Sequence, residues 1–276
     1  MEKGEWEGRV GDLWAAEWKR TDRSFAALQQ DLLTHILAEA GDGARVLDVG
    51  CGAGATSIAL AQARPDCIVR GIDVSPALIE IAAARQPAAN CRFEVADAAV
   101  WEDAAFRPDL LVSRHGVMFF ADPVAAFSHL GAVASDRARL VFSCFRAPDL
   151  NPWASGLAAL LPAAPAVDPA APGPFAFAVE ARVRGILSAA GWHHAQWEPI
   201  DYAYVAGAGE DPVADALDYL QRIGPAARAL RDLDDTSRRE TIGRMREFLC
   251  NHLRDGAVSM NAAAAIWTAG RNMGKQ

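Results

Sequence analysis

Three aspartates in the first hundred residues are the side chains best spaced to do chemistry. Asp48 stands in Val46-Leu47-Asp48-Val49-Gly50-Cys51-Gly52-Ala53-Gly54, a run that passes from apolar residues straight into glycines. Asp73 follows 25 residues later in Gly71-Ile72-Asp73-Val74-Ser75, and Asp97 closes Glu94-Val95-Ala96-Asp97 before Ala98. Residues without a Cβ let main chain turn sharply and approach a ligand closely, so Gly50 and Gly52, with Cys51 between them, are expected to present backbone to a bound molecule. The turn alone fits two cofactor chemistries, because Gly50-x-Gly52-x-x-Ala55 also satisfies a loose dinucleotide fingerprint. A carboxylate at Asp48 gains nothing beside a pyrophosphate but answers a cationic amino acid. Asp73 suits bidentate acceptance from two ribose hydroxyls, a feature shared with nicotinamide enzymes. Asp97 suits acceptance from an adenine amino group. Each acid also has a structural reading by itself, as a strand-end residue satisfied by backbone or as a helix cap. The three acids in order, at the ends of three successive apolar runs, make the structural reading of each alone insufficient.

Elements must bring these acids to one crevice. Short runs rich in Val, Ile, Leu and Phe, at 44–49, 67–73, 91–96, 109–113 and 139–145, alternate with helical patterns, the signature of a parallel sheet covered by helices. Expected helices run over 56–64, over 76–85 behind a Ser75 cap, and over 123–134 behind Asp122, the last two with Pro in the first turn. Residues 146–174 hold seven prolines and read as an irregular excursion with one short helix near 153–161. A helix over 180–190 closed by Gly191, a strand over 197–205, a helix opened by Asp211-Pro212 and a helix opened by the capping box Ser237-x-x-Glu240 and stopped by Gly256 follow. The last strand spans 262–269. The expected division is an N-terminal helical arm or lid over 1–40 and a sheet domain over 41–276, with an irregular loop at 146–178 and a helical cap inserted at 207–256.

With that order of motifs the sequence resembles the class I S-adenosylmethionine-dependent methyltransferases, over roughly 44–145 and more loosely beyond. The resemblance implies an α/β fold, a seven-stranded Rossmann-like sheet, mostly parallel with an antiparallel last strand, and helices on both faces. It implies that S-adenosylmethionine is held by Asp48, Gly50, Cys51 and Gly52 at its methionine end, by Asp73 at the ribose, and by Val74, Asp97 and Ala98 at the adenine. Arg114 and Trp14 are counted in the same binding set. Cys51 is assigned no chemistry of its own, because nothing near it in sequence supplies a base or resolving thiol.

The acceptor is expected beside the end of the fourth strand, Ser113-Arg114-His115-Gly116-Val117-Met118-Phe119-Phe120. Methyl transfer asks chiefly for alignment and exclusion of water. His115 is the candidate catalytic base for a hydroxyl acceptor, with a backbone-bonded loop histidine as the equal alternative. In the arm, Trp6, Trp14, Trp18 and Phe25 are either a lid whose rings face the sulfonium or plain helix packing; Trp14 and Trp18, four apart, share a helical face. Trp153, Phe175, Phe177, His193, His194, Tyr202 and Tyr204 are candidates to line the acceptor pocket, although the tandem histidines after Gly191 read more simply as an exposed loop. The sequence lacks the Asp/Asn-Pro-Pro-aromatic tetrad of amino-methylating DNA enzymes, a Pro-Cys nucleophile and an arsenical-binding cysteine cluster. The 113–120 stretch and the Asn151-Pro152-Trp153 turn resemble a bacterial group related to quinone-biosynthesis and natural-product methyltransferases, a likeness that carries no substrate. With the other classes set aside, a small, hydrophobic or aromatic acceptor is the expectation. A nicotinamide-dependent oxidoreductase, against which the missing Tyr-x-x-x-Lys pair argues, and a non-catalytic cofactor-binding protein are the rival readings.

Composition sets the outer limits. The chain has 276 residues, 51% of them apolar, and a formal net charge of -8, which offers no bulk positive field to nucleic acid or an anionic membrane. Five widely spaced cysteines make no disulfide framework, so a cytoplasmic setting is expected. No metal site is expected, and the expected state is a monomer or a homodimer joined through the cap or arm.

Overall fold

The computed structural model describes residues 3–161 and 168–271; the part of the expected irregular loop at 162–167 lies outside them. Four N-terminal helices, α1 (Lys3–Glu7), α2 (Arg9–Ala16), α3 (Trp18–Ser24) and α4 (Ala26–Glu39), precede the alternating unit. That unit runs β1 (Arg45–Val49), α5 (Ala55–Ala63), β2 (Ile68–Asp73), α6 (Pro76–Ala84), β3 (Cys91–Val95), β4 (Leu110–Arg114), α7 (Pro123–Val133) and β5 (Arg139–Phe145). It continues with α8 (Pro152–Ala158), α9 (Glu180–Ala189), β6 (His193–Gly207), α10 (Pro212–Arg222), α11 (Pro225–Arg231), α12 (Asp235–Cys250), β7 (Leu253–Arg254) and β8 (Ala257–Gly270).

The strands form one sheet in the order β3-β2-β1-β4-β5-β8-β6, with β7 paired to β8 off that path. Strands β1 to β5 are parallel, and β8 runs antiparallel to both β5 and β6. Alternation along each strand sorts the side chains into two cores, one on each face. Val46, Leu110, Val112 and Val141 meet Leu32, Ile36 and Leu60 on one side. Leu47, Val49, Leu111, Leu140 and Phe142 meet Phe127, Leu130 and Leu187 on the other. Asp48 shares the parity of Val46, so its carboxylate turns toward the α5 side. Ser75 and Asp122 cap α6 and α7 as expected, accepting from the Leu78 and Ala125 amides.

Five local expectations change. The sheet has eight strands rather than seven, because Asp255 and Gly256 both take positive φ (48° and 76°) and fold Leu253–Arg254 back onto the start of β8. Gly256 therefore makes a hairpin turn, while α12 already ends at Cys250. Its cap is Asp234, which accepts from the Thr236 and Ser237 amides, so Ser237 sits inside the first turn and donates its hydroxyl to Asp234. The tandem His193-His194 begins β6 instead of forming a loop, with the register irregularity between His193 and Gln196 absorbed at His194, whose φ is 54°. Trp14 and Trp18 fall on separate helices, because the buried Glu17 breaks the arm between α2 and α3. No pattern singled out α11, a short helix behind Gly224-Pro225.

Candidate functional site

β1 and β4 are neighbours, with β2 and β5 outside them, so the connections leave in opposite directions and open a crevice at the strands' carboxyl ends. A cleft of about 2310 Å³ opens there. Ordinary small-molecule pockets run to roughly 300–1,000 Å³, so this cleft has room for two ligands side by side. All eleven residues singled out from the sequence line it: Trp14, Asp48, Gly50, Cys51, Gly52, Asp73, Val74, Asp97, Ala98, Arg114 and His115.

The glycine turn is built for close approach. Gly50, Gly52 and Gly54 all have positive φ (63°, 55° and 80°), the region that side chains with a Cβ avoid. A Cβ on Gly50 would sit 3.0 Å from the Cα of Gly116, and one on Gly116 would sit 2.8 Å from the Val49 carbonyl, so the β1 and β4 turns pack backbone on backbone. A Cβ on Gly52 would meet nothing within 4 Å, which leaves that stretch of main chain open on the cleft. The Cys51 thiol is buried, and burial raises it well above the ordinary thiol range, so it stays an uncharged packing group.

Asp48 is fully buried; its Oδ2 accepts from the Ser57 hydroxyl at 2.6 Å, whereas Oδ1 has no partner. Burial pushes its pKa up to about 7, and the Ser57 hydrogen bond and the Arg114 charge only partly oppose this. Asp73 ties two turns together, Oδ2 accepting from the Gly52 amide and Oδ1 from the Ser75 amide, both at 2.9 Å. Each of its oxygens keeps acceptor capacity beyond that bond. Asp97 accepts from the Ala99 amide at 2.9 Å, and Ala98 is buried beside it.

Arg114 reaches from the end of β4 to the arm, donating to Asp22 at 2.9 Å and to Gln29 at 3.1 Å. Asp22 also accepts from Arg85 at 2.8 Å, and the Arg85 guanidinium lies 4.4 Å from the Trp18 ring centre. The arm thereby closes one side of the cleft. Trp6 stands between Trp14 and Phe119, at ring separations of 5.7 and 5.0 Å.

His115 is buried in the left-handed region at φ 63°, an unusual place for a residue with a Cβ. Its ring stacks on Phe145 at 4.2 Å, Nδ1 lies 3.4 Å from the Ser143 hydroxyl, and Nε2 has no partner. Burial and the neighbouring Arg114 charge push its pKa down to about 3, so the ring is neutral at physiological pH. Beyond it Trp153 meets Phe145 at 4.9 Å and stacks on Tyr204 at 5.3 Å. Trp153, Phe175 and Tyr204 line the cleft as the sequence suggested. Phe177 instead packs in the core against Phe127 and Phe142, Tyr202 is buried outside the cleft lining, and the tandem histidines start β6 opposite the end of β8.

Sequence reasoning passed over Asp22, Ser57 and Gly116. Ser57 had a usable signal, since it lies in the first turn of the helix that follows the glycine turn and faces β1. Asp22 had none, being 92 residues from Arg114 and 63 from Arg85.

A family described as a methyltransferase domain matches residues 18–193. Among curated proteins, malonyl-[acyl-carrier protein] O-methyltransferase of Paenibacillus sp. (strain JDR-2) is 31% identical over 106 residues, 37% of this chain and 38% of that protein. Trans-aconitate 2-methyltransferase of Variovorax paradoxus (strain S110) is 38% identical over 108 residues, 39% of this chain and 40% of the relative. The matched stretch thus spans about two fifths of each relative. Among solved structures, the YcgJ protein of Bacillus subtilis superposes with a TM-score of 0.57 at 19% identity, covering 89% of this chain and 99% of that one, a likeness of fold.

Proposed function

Because the chain belongs to the S-adenosylmethionine-dependent methyltransferase family, its domain matching over residues 18–193, we propose that it transfers a methyl group from S-adenosylmethionine to a small apolar or aromatic acceptor. The observation that carries this reading is the buried, unpartnered Asp48 Oδ1 behind an open glycine turn, in a cleft with room for a second molecule. The residues present fit the cofactor. Asp48 would receive the amino group of the methionine end, with Gly50, Cys51 and Gly52 lending main chain. Asp73 would accept from the ribose hydroxyls while its amide bonds to Gly52 and Ser75 hold the carboxylate still. Asp97, Val74 and Ala98 would frame the adenine, and Trp14 with Trp6 would cover the cleft from the arm. When bound, the cofactor supplies an electrophilic methyl on a sulfonium.

What the protein's own residues contribute is orientation and exclusion of water. The aromatic wall of Phe25, Phe145, Trp153 and Tyr204 offers flat faces to a ring or apolar chain. His115, neutral and weakly basic, hydrogen-bonds the acceptor through Nε2 and orients it; a nitrogen whose conjugate acid titrates near 3 is a poor general base for a hydroxyl. The test is transfer of a labelled methyl from S-adenosylmethionine to a panel of apolar and aromatic acids, phenols and amines. Incorporation into at least one aromatic or apolar acceptor, reduced tenfold or more in His115→Ala, is expected. Labelling confined to polar acceptors, or unaffected by His115→Ala, would contradict the proposal.

A further inference from the structure

Among the described residues lining the cleft, Arg182 is a cation with no carboxylate within ion-pairing distance. It stands in the first turn of α9, half-buried, and its guanidinium donates only to neutral groups, the Ala176 carbonyl at 3.1 Å and the Ala170 carbonyl at 3.2 Å. The other cleft arginine, Arg114, is neutralised by Asp22. The Arg182 guanidinium has five N–H donors, of which two are used, and the remaining N–H fork has the geometry that a carboxylate or similar oxyanion accepts. Two acids share this part of the cleft, Asp168 and Asp232, but both are exposed and Asp168 turns back onto the Ala170 amide. Water screens them, while Arg182 keeps its field in a partly apolar setting.

Resting on the acceptor reading above, we propose that Arg182 is a specificity-determining residue that selects acceptors joining an apolar or aromatic body to an anionic oxygen group. The body lies against Phe175 and Trp153, which stack at 6.0 Å, and the anionic end pairs with Arg182 at the loop that leads into α9. The same guanidinium braces that loop through the two carbonyls, so an anion arriving there would complete a hydrogen-bonded corner instead of building a new one.

The test uses the full-length protein saturated with S-adenosylhomocysteine and a matched pair of probes, 2-naphthoate and 2-naphthamide, titrated calorimetrically. Naphthoate should bind about tenfold or more tightly than the amide, the preference expected of a charge-assisted bidentate contact. Arg182→Met should erase that preference while leaving S-adenosylhomocysteine affinity unchanged, and Arg182→Lys should keep part of it. A purely structural role for Arg182 would lower both probes equally in Arg182→Met, and that result overturns the proposal. So does equal binding of the two probes to the wild type, or failure of both to bind. Failure of S-adenosylhomocysteine itself to bind overturns the underlying methyltransferase reading, so the two failures are distinguishable.

Discussion

Asp48 holds its proton far more tightly than a surface aspartate because the fold buries it with one oxygen unpaired. The folded chain keeps this proton between about pH 4 and its own pKa of about 7, where the unfolded chain has lost it. Stability from this group is therefore full below about pH 4 and lost as pH rises through 7. Asp48→Asn should remove that slope, so thermal melts should show the variant gaining on wild type as pH rises to about 8. A cationic amino group at the same carboxylate reverses the preference, so S-adenosylhomocysteine affinity should rise with pH up to about 7 and lose that rise in Asp48→Asn; parallel profiles would refute the assignment. Asp73→Ala should cost at least tenfold in that affinity, because it removes the acceptor and frees the Gly52 amide, with the far-ultraviolet spectrum unchanged. The acids themselves were legible in the sequence because strand ends announce themselves by an apolar run meeting glycine or aspartate. Their partners were not, since Ser57 to Asp48 and Asp22 to Arg114 are meetings made by folding.

At the scale of elements, the two turns that meet at the cleft differ in what a methyl group would do to them. Gly116→Ala places a Cβ against the backbone of Val49 and Gly50, where nothing flexible can yield, and should lower stability by about 1–3 kcal/mol in chemical denaturation. Gly52→Ala meets open space and pays only for its positive φ, about 1 kcal/mol, yet it should weaken cofactor binding more than Gly116→Ala does. The arm is fastened to the cap by charge: Arg20 reaches Asp215 and Asp218, Arg23 reaches Asp215, and Arg222 reaches back to Glu17. Single partly exposed pairs contribute about 0–1 kcal/mol, so the network has to be loosened as a whole. Asp215→Asn, or about 1 M salt, should speed proteolysis within the arm and the release of S-adenosylhomocysteine together; proteolysis unchanged in both conditions would detach the arm from cofactor retention. The five parallel strands and their helices were readable because period-two and helical patterns there are strong and short connections leave few alternatives. The hairpin at Asp255-Gly256 and the Asp234 cap rest on local signals that a neighbouring motif masked, a helix stop at Gly256 and a capping box at Ser237. The break at Glu17 was not legible, because its partner Arg222 is 205 residues away.

Over the whole molecule, the sheet order places the reversal of direction between β1 and β4, and the eleven residues singled out from the sequence gather at that one end. On the reading proposed above, Asp48, Asp73 and Asp97 line the cofactor side of the cleft, and rings with Arg182 and the exposed Asp168 and Asp232 line the acceptor side. No helix among the described residues is long and apolar enough to cross a membrane. The family match settles the ambiguity that the glycine turn carried alone, in favour of a methyltransferase over a nicotinamide enzyme. The central claim is that this cleft binds S-adenosylmethionine through Asp48 and Asp73, and it is tested most directly by calorimetric titration of the protein with S-adenosylhomocysteine beside NADH. One-to-one binding of S-adenosylhomocysteine in the micromolar range, about −8 kcal/mol, with no heat from NADH, is the expected result. Absence of S-adenosylhomocysteine binding at about 1 mM, or a preference for NADH, would contradict the account.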